Sequence, residues 1–139
     1  MLVSATVISG CVVTANPLSF GLTLNPTSTS VPVDASTTMS VTCTATTPYT
    51  VALDAGVNAG GAANFTARAI KFGADAINYQ LYTTTGRTTV WGDGTATTST
   101  EPGTGNGLPQ LVTVYGRLPS LSGAVPGAYT DTVTITVTY

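Results

Sequence analysis

Hydrophobic and polar residues alternate with a period of two along several short runs of this chain. In the longest run, residues 129–139, every even-numbered position is threonine and the odd-numbered positions are mostly apolar. Shorter alternating runs cover residues 2–9, 38–44, 49–54, 79–83 and 111–117. Side chains of a β-strand point alternately to its two faces, so each run predicts a strand with one buried face.

Turn-forming residues separate these runs. The main ones are Asn16-Pro17, Asn25-Pro26, Asp93-Gly94, the glycine-rich residues 103–107 and Pro126-Gly127. Short strands punctuated in this way are typical of a sandwich. We find no internal repeat and no second domain, so the sequence predicts one antiparallel all-β sandwich over residues 1–139.

Composition supports a folded chain with an uncharged polar surface. Hydrophobic residues make up 42% of the sequence, and charged residues only 7%, against about 25% in an average soluble protein. Threonine, which favours pleated surfaces, is about a fifth of the chain. The net charge of −2 and the absence of any lysine or arginine run argue against nucleic acid as a partner. No apolar run reaches the about 20 residues that a transmembrane helix needs.

The chain has two cysteines, Cys11 and Cys43. In a cytosolic protein they would be free thiols by default. A threonine-rich, charge-poor composition favours an extracellular protein, in which a disulfide is the more common state. No leader sequence is recognisable at the N-terminus, so export would require that a leader has been removed.

Catalytic chemistry finds little support in the sequence. The chain contains no histidine, which excludes Ser-His-Asp and Cys-His arrangements and histidine-based metal sites. Its six acidic residues are widely scattered. We therefore predict no enzyme, no catalytic or metal-binding residue and no cofactor.

One aromatic residue has two interpretations. Trp91, which precedes Gly92-Asp93-Gly94, would stack on a sugar in a lectin-like site together with Tyr82. Alternatively, it packs in the core beside a turn, which is the usual role of a single tryptophan. We favour the core role and keep Trp91 and Tyr82 as candidate ligand contacts.

The two ends of the chain are both strand-like. They either complete the sandwich in the ordinary way or take part in strand exchange between molecules. A sandwich that lacks one strand leaves an apolar groove and an unpaired edge, which a strand from another chain can fill.

Taken in order, the motifs resemble those of the spore coat protein U domain, the fold of subunits in archaic chaperone–usher pili. They comprise residues 3–7 leading to Cys11, then 17–21, 41–43, 49–56, 79–82, 91–94, 114–117 and 127–133. The resemblance implies an incomplete immunoglobulin-like sandwich that is completed by a donor strand. It also implies three kinds of partner, namely identical or related pilin subunits, a periplasmic chaperone and an outer-membrane usher.

The resemblance assigns roles to particular residues. Residues 1–9 would be the donor segment, with Val3, Ala5 and Val7 entering the groove of the next subunit. The strand that borders the acceptor groove, and that also meets the chaperone, would contribute Val133, Ile135, Val137 and Tyr139. Cys11 and Cys43 would form the family's disulfide. Donor segments of the family usually begin further upstream, so either residues have been removed here or this copy donates a short strand.

The expected function is therefore a structural subunit of a pilus, exported through the periplasm to the cell surface. Two alternatives remain at this stage. One is a pilus-tip adhesin or lectin-like binding domain, and the other is a passive coat or matrix protein with the same fold.

Overall fold

The computed structural model describes residues 1–139, and its regular secondary structure consists of β-strands and a single turn of helix. The strands are β1 (Cys11–Ala15), β2 (Val33–Cys43), β3 (Pro48–Leu53), β4 (Ala69–Phe72), β5 (Asp75–Asn78), β6 (Gln80–Tyr82), β7 (Glu101–Thr104), β8 (Gln110–Leu118) and β9 (Ile135–Thr138). One turn of 3₁₀ helix covers Phe65–Ala67.

Two antiparallel sheets form the sandwich. The first has the order β1-β2-β8-β6 and the second the order β7-β3-β9, while β4 and β5 form a separate hairpin. Every paired strand runs antiparallel to its neighbour. The predicted all-β antiparallel sandwich is confirmed.

The core lies between the sheets and follows directly from the period-two pattern. In β2 the apolar side chains of Met39, Val41 and Cys43 are buried, and in β3 the same holds for Val51 and Leu53. These alternate positions share one face of each strand, so two half-apolar sheets bury their apolar faces against each other.

Cys11 and Cys43 form the predicted disulfide. They are direct partners in the register between β1 and β2, with Cα atoms 4.1 Å apart. The bond therefore attaches the first, outermost strand of the first sheet to its only neighbour.

The N-terminal residues differ from the prediction. Residues 2–9 form no strand, and Leu2, Val3, Val7 and Ile8 are almost fully exposed. A strand needs a neighbour to satisfy its backbone groups, and within a single chain this segment has none. The segment therefore has the alternating pattern of a strand but pairs with no strand of its own chain.

The C-terminal strand is also shorter than predicted, since β9 covers only Ile135–Thr138. The alternation nevertheless extends further, because odd-numbered residues from Tyr129 to Val137 are half-buried and even-numbered ones are exposed. Residues 129–134 are thus extended, with their odd-numbered side chains toward the interior. Their backbone, however, is hydrogen-bonded on one side only.

Loss of the disulfide should lower the free energy of unfolding by about 3–4 kcal/mol, because the bond restricts a long loop in the unfolded chain. Urea denaturation of the oxidised chain and of a Cys11→Ala/Cys43→Ala variant would measure this difference. The wild-type chain kept under dithiothreitol is the control, and it should match the variant. A loss below about 1 kcal/mol would show that the bond does not restrict the unfolded chain as this argument requires.

Candidate strand-binding groove

A deep groove opens along one flank of the sandwich, between the two sheets. Its volume is about 1310 Å³, and 19 of its 33 lining residues are hydrophobic. One wall is formed by residues 15–26 and 37–39, and the other by residues 124–133 and Ile135. Its apolar interior includes the core residues Met39, Leu53, Leu81 and Val114. The groove is therefore a gap in the hydrophobic core that opens to solvent.

The C-terminal wall directs unpaired backbone groups into this gap. Thr134 O accepts a hydrogen bond from Asp54 N (3.1 Å), and Thr132 O accepts one from Val57 N (3.0 Å). Even-numbered residues thus bond away from the groove. The residues between them, Asp131 and Val133, form no backbone–backbone hydrogen bond, and strand geometry directs their N–H and C=O groups to the groove side.

The opposite wall presents a second free edge. Strand β1 pairs with β2 alone, and bonds at both of its ends, Thr44 N to Gly10 O and Asn16 N to Thr38 O, show that even-numbered residues face β2. The odd-numbered residues of β1 therefore turn their backbone groups outward. Of β1, however, only Ala15 lines the groove, so this free edge reaches the groove at its last residue alone.

Beyond β1 the same wall continues without any sheet. Residues 17–24 form no backbone–backbone hydrogen bond and are attached through side chains. Leu18 and Phe20 reach across to Gly116, where a Cβ atom would lie 3.0 Å from the Phe20 ring and 3.1 Å from Leu18. These two side chains pack against the core and partly cover the apolar interior of the groove.

Polar contacts fix the C-terminal wall, one of them inside the groove, where Tyr79 and Asp131 both lie. Tyr79 Oη donates to Asp131 Oδ2 (2.6 Å), and Asn58 N donates to Asp131 Oδ1 (3.3 Å). Asp54 Oδ1 accepts from Thr134 N (2.9 Å). Gly56 has a positive φ of 86°, and any side chain there would collide with the Asp131 carboxylate. The wall is thus held by side chains and a close loop while its groove edge stays free.

Burial and the hydrogen bond to Asp131 raise the pKa of Tyr79 well above its usual value. The protonated phenol donates to a carboxylate, and deprotonation would place two negative charges together in a buried position. This pair is therefore stable only while Tyr79 keeps its proton.

The structure places the residues predicted for the acceptor strand in three different surroundings. Val133 and Ile135 line the groove. Val137 is half-buried and packs against the core below it. Tyr139 is 60% exposed and lies outside the groove lining. The donor candidates Val3, Ala5 and Val7 are exposed and contact no groove in their own chain.

Trp91 belongs to the core. It is fully buried, and its indole Nε1 donates to Val51 O (2.9 Å). Tyr82 follows the buried Leu81 and so faces away from the core. The ring of Trp91 has no accessible face, so its role as a sugar contact is wrong for this fold, and the two residues do not share a site.

Sequence reasoning missed the wall formed by residues 17–24. The signal was present, because Leu18, Phe20, Leu22 and Leu24 alternate with small or polar residues. It also missed the Tyr79–Asp131 pair, which no local pattern reveals because the two residues are 52 positions apart. As for membranes, the structure contains no helix with the length and apolar character required to cross one.

Replacing Tyr79 by phenylalanine should lower the free energy of unfolding at pH 7 by about 1–3 kcal/mol, because the Asp131 carboxylate loses a buried donor. The wild-type chain should also lose stability above about pH 10, by up to about 1.4 kcal/mol per pH unit, since only the unfolded chain then releases the Tyr79 proton. Tyr79→Phe removes this alkaline loss.

Urea denaturation between pH 7 and pH 11 tests both effects. Tyr82→Phe is the matched control, since the Tyr82 hydroxyl makes no hydrogen bond in the structure. Equal stabilities for the two variants would show that the Tyr79–Asp131 bond does not hold the wall.

Comparison with known proteins places this fold in context. The sequence profile of the Spore Coat Protein U domain matches residues 1–136. No functionally curated protein matches the sequence. Among solved structures, the chain is similar to one in the CsuC–CsuE chaperone–tip adhesion subunit pre-assembly complex from archaic chaperone–usher Csu pili of Acinetobacter baumannii, with a TM-score of 0.68 and 22% identity.

That structural match covers 96% of this chain and 40% of the other, so this chain spans less than half the length of its neighbour. At this identity the likeness concerns the fold. The family profile, by contrast, covers nearly every residue, including the groove walls and both cysteines. This chain belongs to the Spore Coat Protein U domain family.

Proposed function

We propose that this chain is a structural subunit of a surface pilus that assembles by donor-strand exchange through a chaperone–usher pathway. One observation carries the proposal. An apolar groove lies beside an unpaired sheet edge at Val133 and Ile135, while a strand-like apolar segment of the same chain extends into solvent. The family is a structural, non-enzymatic one, which agrees with this role.

The groove has the two features that an added strand requires. The backbone groups of Asp131 and Val133 lack backbone partners, so an incoming strand can extend the sheet through main-chain hydrogen bonds. Alternate side chains of that strand would then point into the apolar space between the sheets. Val133 and Ile135 already line that space.

The N-terminal segment has the matching pattern. Val3, Ala5 and Val7 alternate with Ser4 and Thr6, so one face of an extended segment would be apolar and the other polar. Burying two valine side chains would contribute about 3–6 kcal/mol in addition to the hydrogen bonds. Residues 1–9 are the proposed donor segment.

The point at which this segment leaves the domain sets the polarity of the polymer. Gly10 is bonded to Thr44, through its O to Thr44 N (2.9 Å) and its N to Thr44 Oγ1 (3.2 Å). Residues 1–9 lie beyond this attachment and are exposed. A donor on one subunit and an acceptor on the next form a head-to-tail contact, which does not close on itself and so grows as a fibre.

The proposal includes the partners and the location of assembly. An incomplete sandwich with a free apolar groove is prone to aggregation, so a periplasmic chaperone would fill the groove first. An outer-membrane usher would then replace that strand with the donor of the next subunit. The structural neighbour was solved as a chaperone–subunit complex, which supports this order. A position within the fibre is favoured over a lectin-like tip, because Trp91 is buried.

Charges on the apolar face of the donor should abolish assembly. A Val3→Asp/Val7→Asp variant places two carboxylates in the groove, and we expect donor affinity to fall by at least about 100-fold. The matched control is Ser4→Asp/Thr6→Asp, which adds the same charge to the polar face of the same segment. Electron microscopy and the resistance of fibres to SDS would measure assembly.

The control should form fibres and the apolar-face variant should remain monomeric. A free peptide with the sequence of residues 1–9 should also raise the thermal midpoint of the monomeric variant, because it binds only the folded chain. Normal fibres from Val3→Asp/Val7→Asp would refute the assignment of residues 1–9 as donor.

A further inference from the structure

The sandwich is open on its second flank as well. Strand β6 pairs with β8 only opposite residues 115–117, so residues 110–114 of β8 have no neighbour on that side. In the facing sheet β7 is an outer strand, paired with β3 alone. A cleft of about 430 Å³ lies between them. This domain therefore has two flanks at which a foreign strand would find unpaired backbone.

The second flank differs from the groove in its charge. Glu101 and Gly103 are the half-buried positions of β7, and Gly103 lies against the ring of the buried Tyr49. The side of β7 that carries Glu101 thus faces the cleft between the two sheets. The Glu101 carboxylate makes neither a hydrogen bond nor an ion pair within the protein, and burial raises its pKa. A charge pointing inward without a partner is unfavourable for the fold itself.

The next residue removes a hydrogen-bond donor. Gly105 N donates inward to Thr47 O (2.8 Å), and N–H groups alternate in direction along a strand. Position 102 would therefore direct its N–H to the free edge, but Pro102 has none. Proline at this location is tolerated by the sheet and prevents a regular ladder on the outer side.

The groove side shows the opposite design. Strand β9 contains Ile135, Thr136, Val137 and Thr138, with no charged residue and no proline. The acidic residue that precedes it at the groove edge, Asp131, accepts hydrogen bonds from Tyr79 and Asn58, whereas Glu101 has no such partner. The two outer strands of one three-stranded sheet therefore differ in the features that permit or prevent strand addition.

We propose that Glu101 and Pro102 prevent a strand from another copy of this chain from pairing with the second flank. A strand added at β7 would bury the Glu101 carboxylate completely and would lack a partner at position 102. Strand addition is thereby confined to the groove. This block on strand pairing at β7 does not depend on the proposed function. Its consequence for the pilus, an unbranched fibre, does rest on the proposed function.

The test compares variants of the full chain that all carry Val3→Asp/Val7→Asp, so that donor-strand exchange through the groove does not contribute to self-association. Glu101→Val/Pro102→Val should lower the dissociation constant for self-association at least about tenfold, as measured by sedimentation equilibrium. The same change should raise the thermal midpoint of the dilute monomer, because it removes an unpartnered inward charge. If Glu101 affected only the stability of the fold, its replacement would not raise the thermal midpoint and strengthen self-association at the same time.

Two further variants complete the design. Thr104→Val adds a comparable apolar side chain on the exposed face of β7 and should leave association unchanged. Glu101→Lys retains a charge at position 101, and this variant should also remain monomeric. The proposal is overturned if the Glu101→Val/Pro102→Val chain stays as monomeric as its parent, or if Thr104→Val associates equally. Polymerisation of the Val3→Asp/Val7→Asp parent would instead count against the proposed function. The comparison of Glu101→Val/Pro102→Val with Thr104→Val would still show whether Glu101 and Pro102 prevent association.

Discussion

The unpaired backbone edge along Asp131 and Val133 is the constraint on which the rest of this structure depends. Backbone N–H and C=O groups beside an apolar interior are unfavourable unless they find partners. Here they face a groove in which no strand of the same chain lies. The chain also supplies a segment that has the pattern of a strand and no sheet of its own. Together these features are the physical basis of the proposal that another molecule completes the folded monomer.

A wall that is bonded on one side only must be held in place by something other than a complete sheet. The bonds from Tyr79 and Asn58 to Asp131, and from Thr134 to Asp54, provide this support. Tyr79 and Asp131 themselves line the groove, whereas Asn58 and Asp54 lie outside its lining, so the wall is held both from within the groove and from behind. The disulfide has the corresponding role on the opposite wall, where it attaches β1 to β2.

Much of this architecture could be predicted from the sequence, because period-two alternation is a local signal. The core strands and the sandwich followed from this alternation, whereas the disulfide was predicted from composition and the family resemblance from the order of the motifs. The sequence also predicted a strand at residues 2–9, and this was wrong for the isolated chain because pairing depends on a partner that alternation does not specify. The groove walls could not be predicted in full, since Phe20, Gly116, Tyr79 and Asp131 meet only after distant segments pack together.

Strand addition as a means of assembly requires that a domain control which of its edges is available. An edge is equally reactive wherever it occurs, so a sandwich with two open flanks would aggregate unless one of them were disabled. The second sheet has outer strands of opposite character, with an inward carboxylate and a proline on β7 and only uncharged, hydrogen-bonding residues on β9. The half-buried Glu101 carboxylate has no partner to offset its desolvation. Its retention is explained if directional growth of the fibre matters more to this chain than the stability of a single subunit.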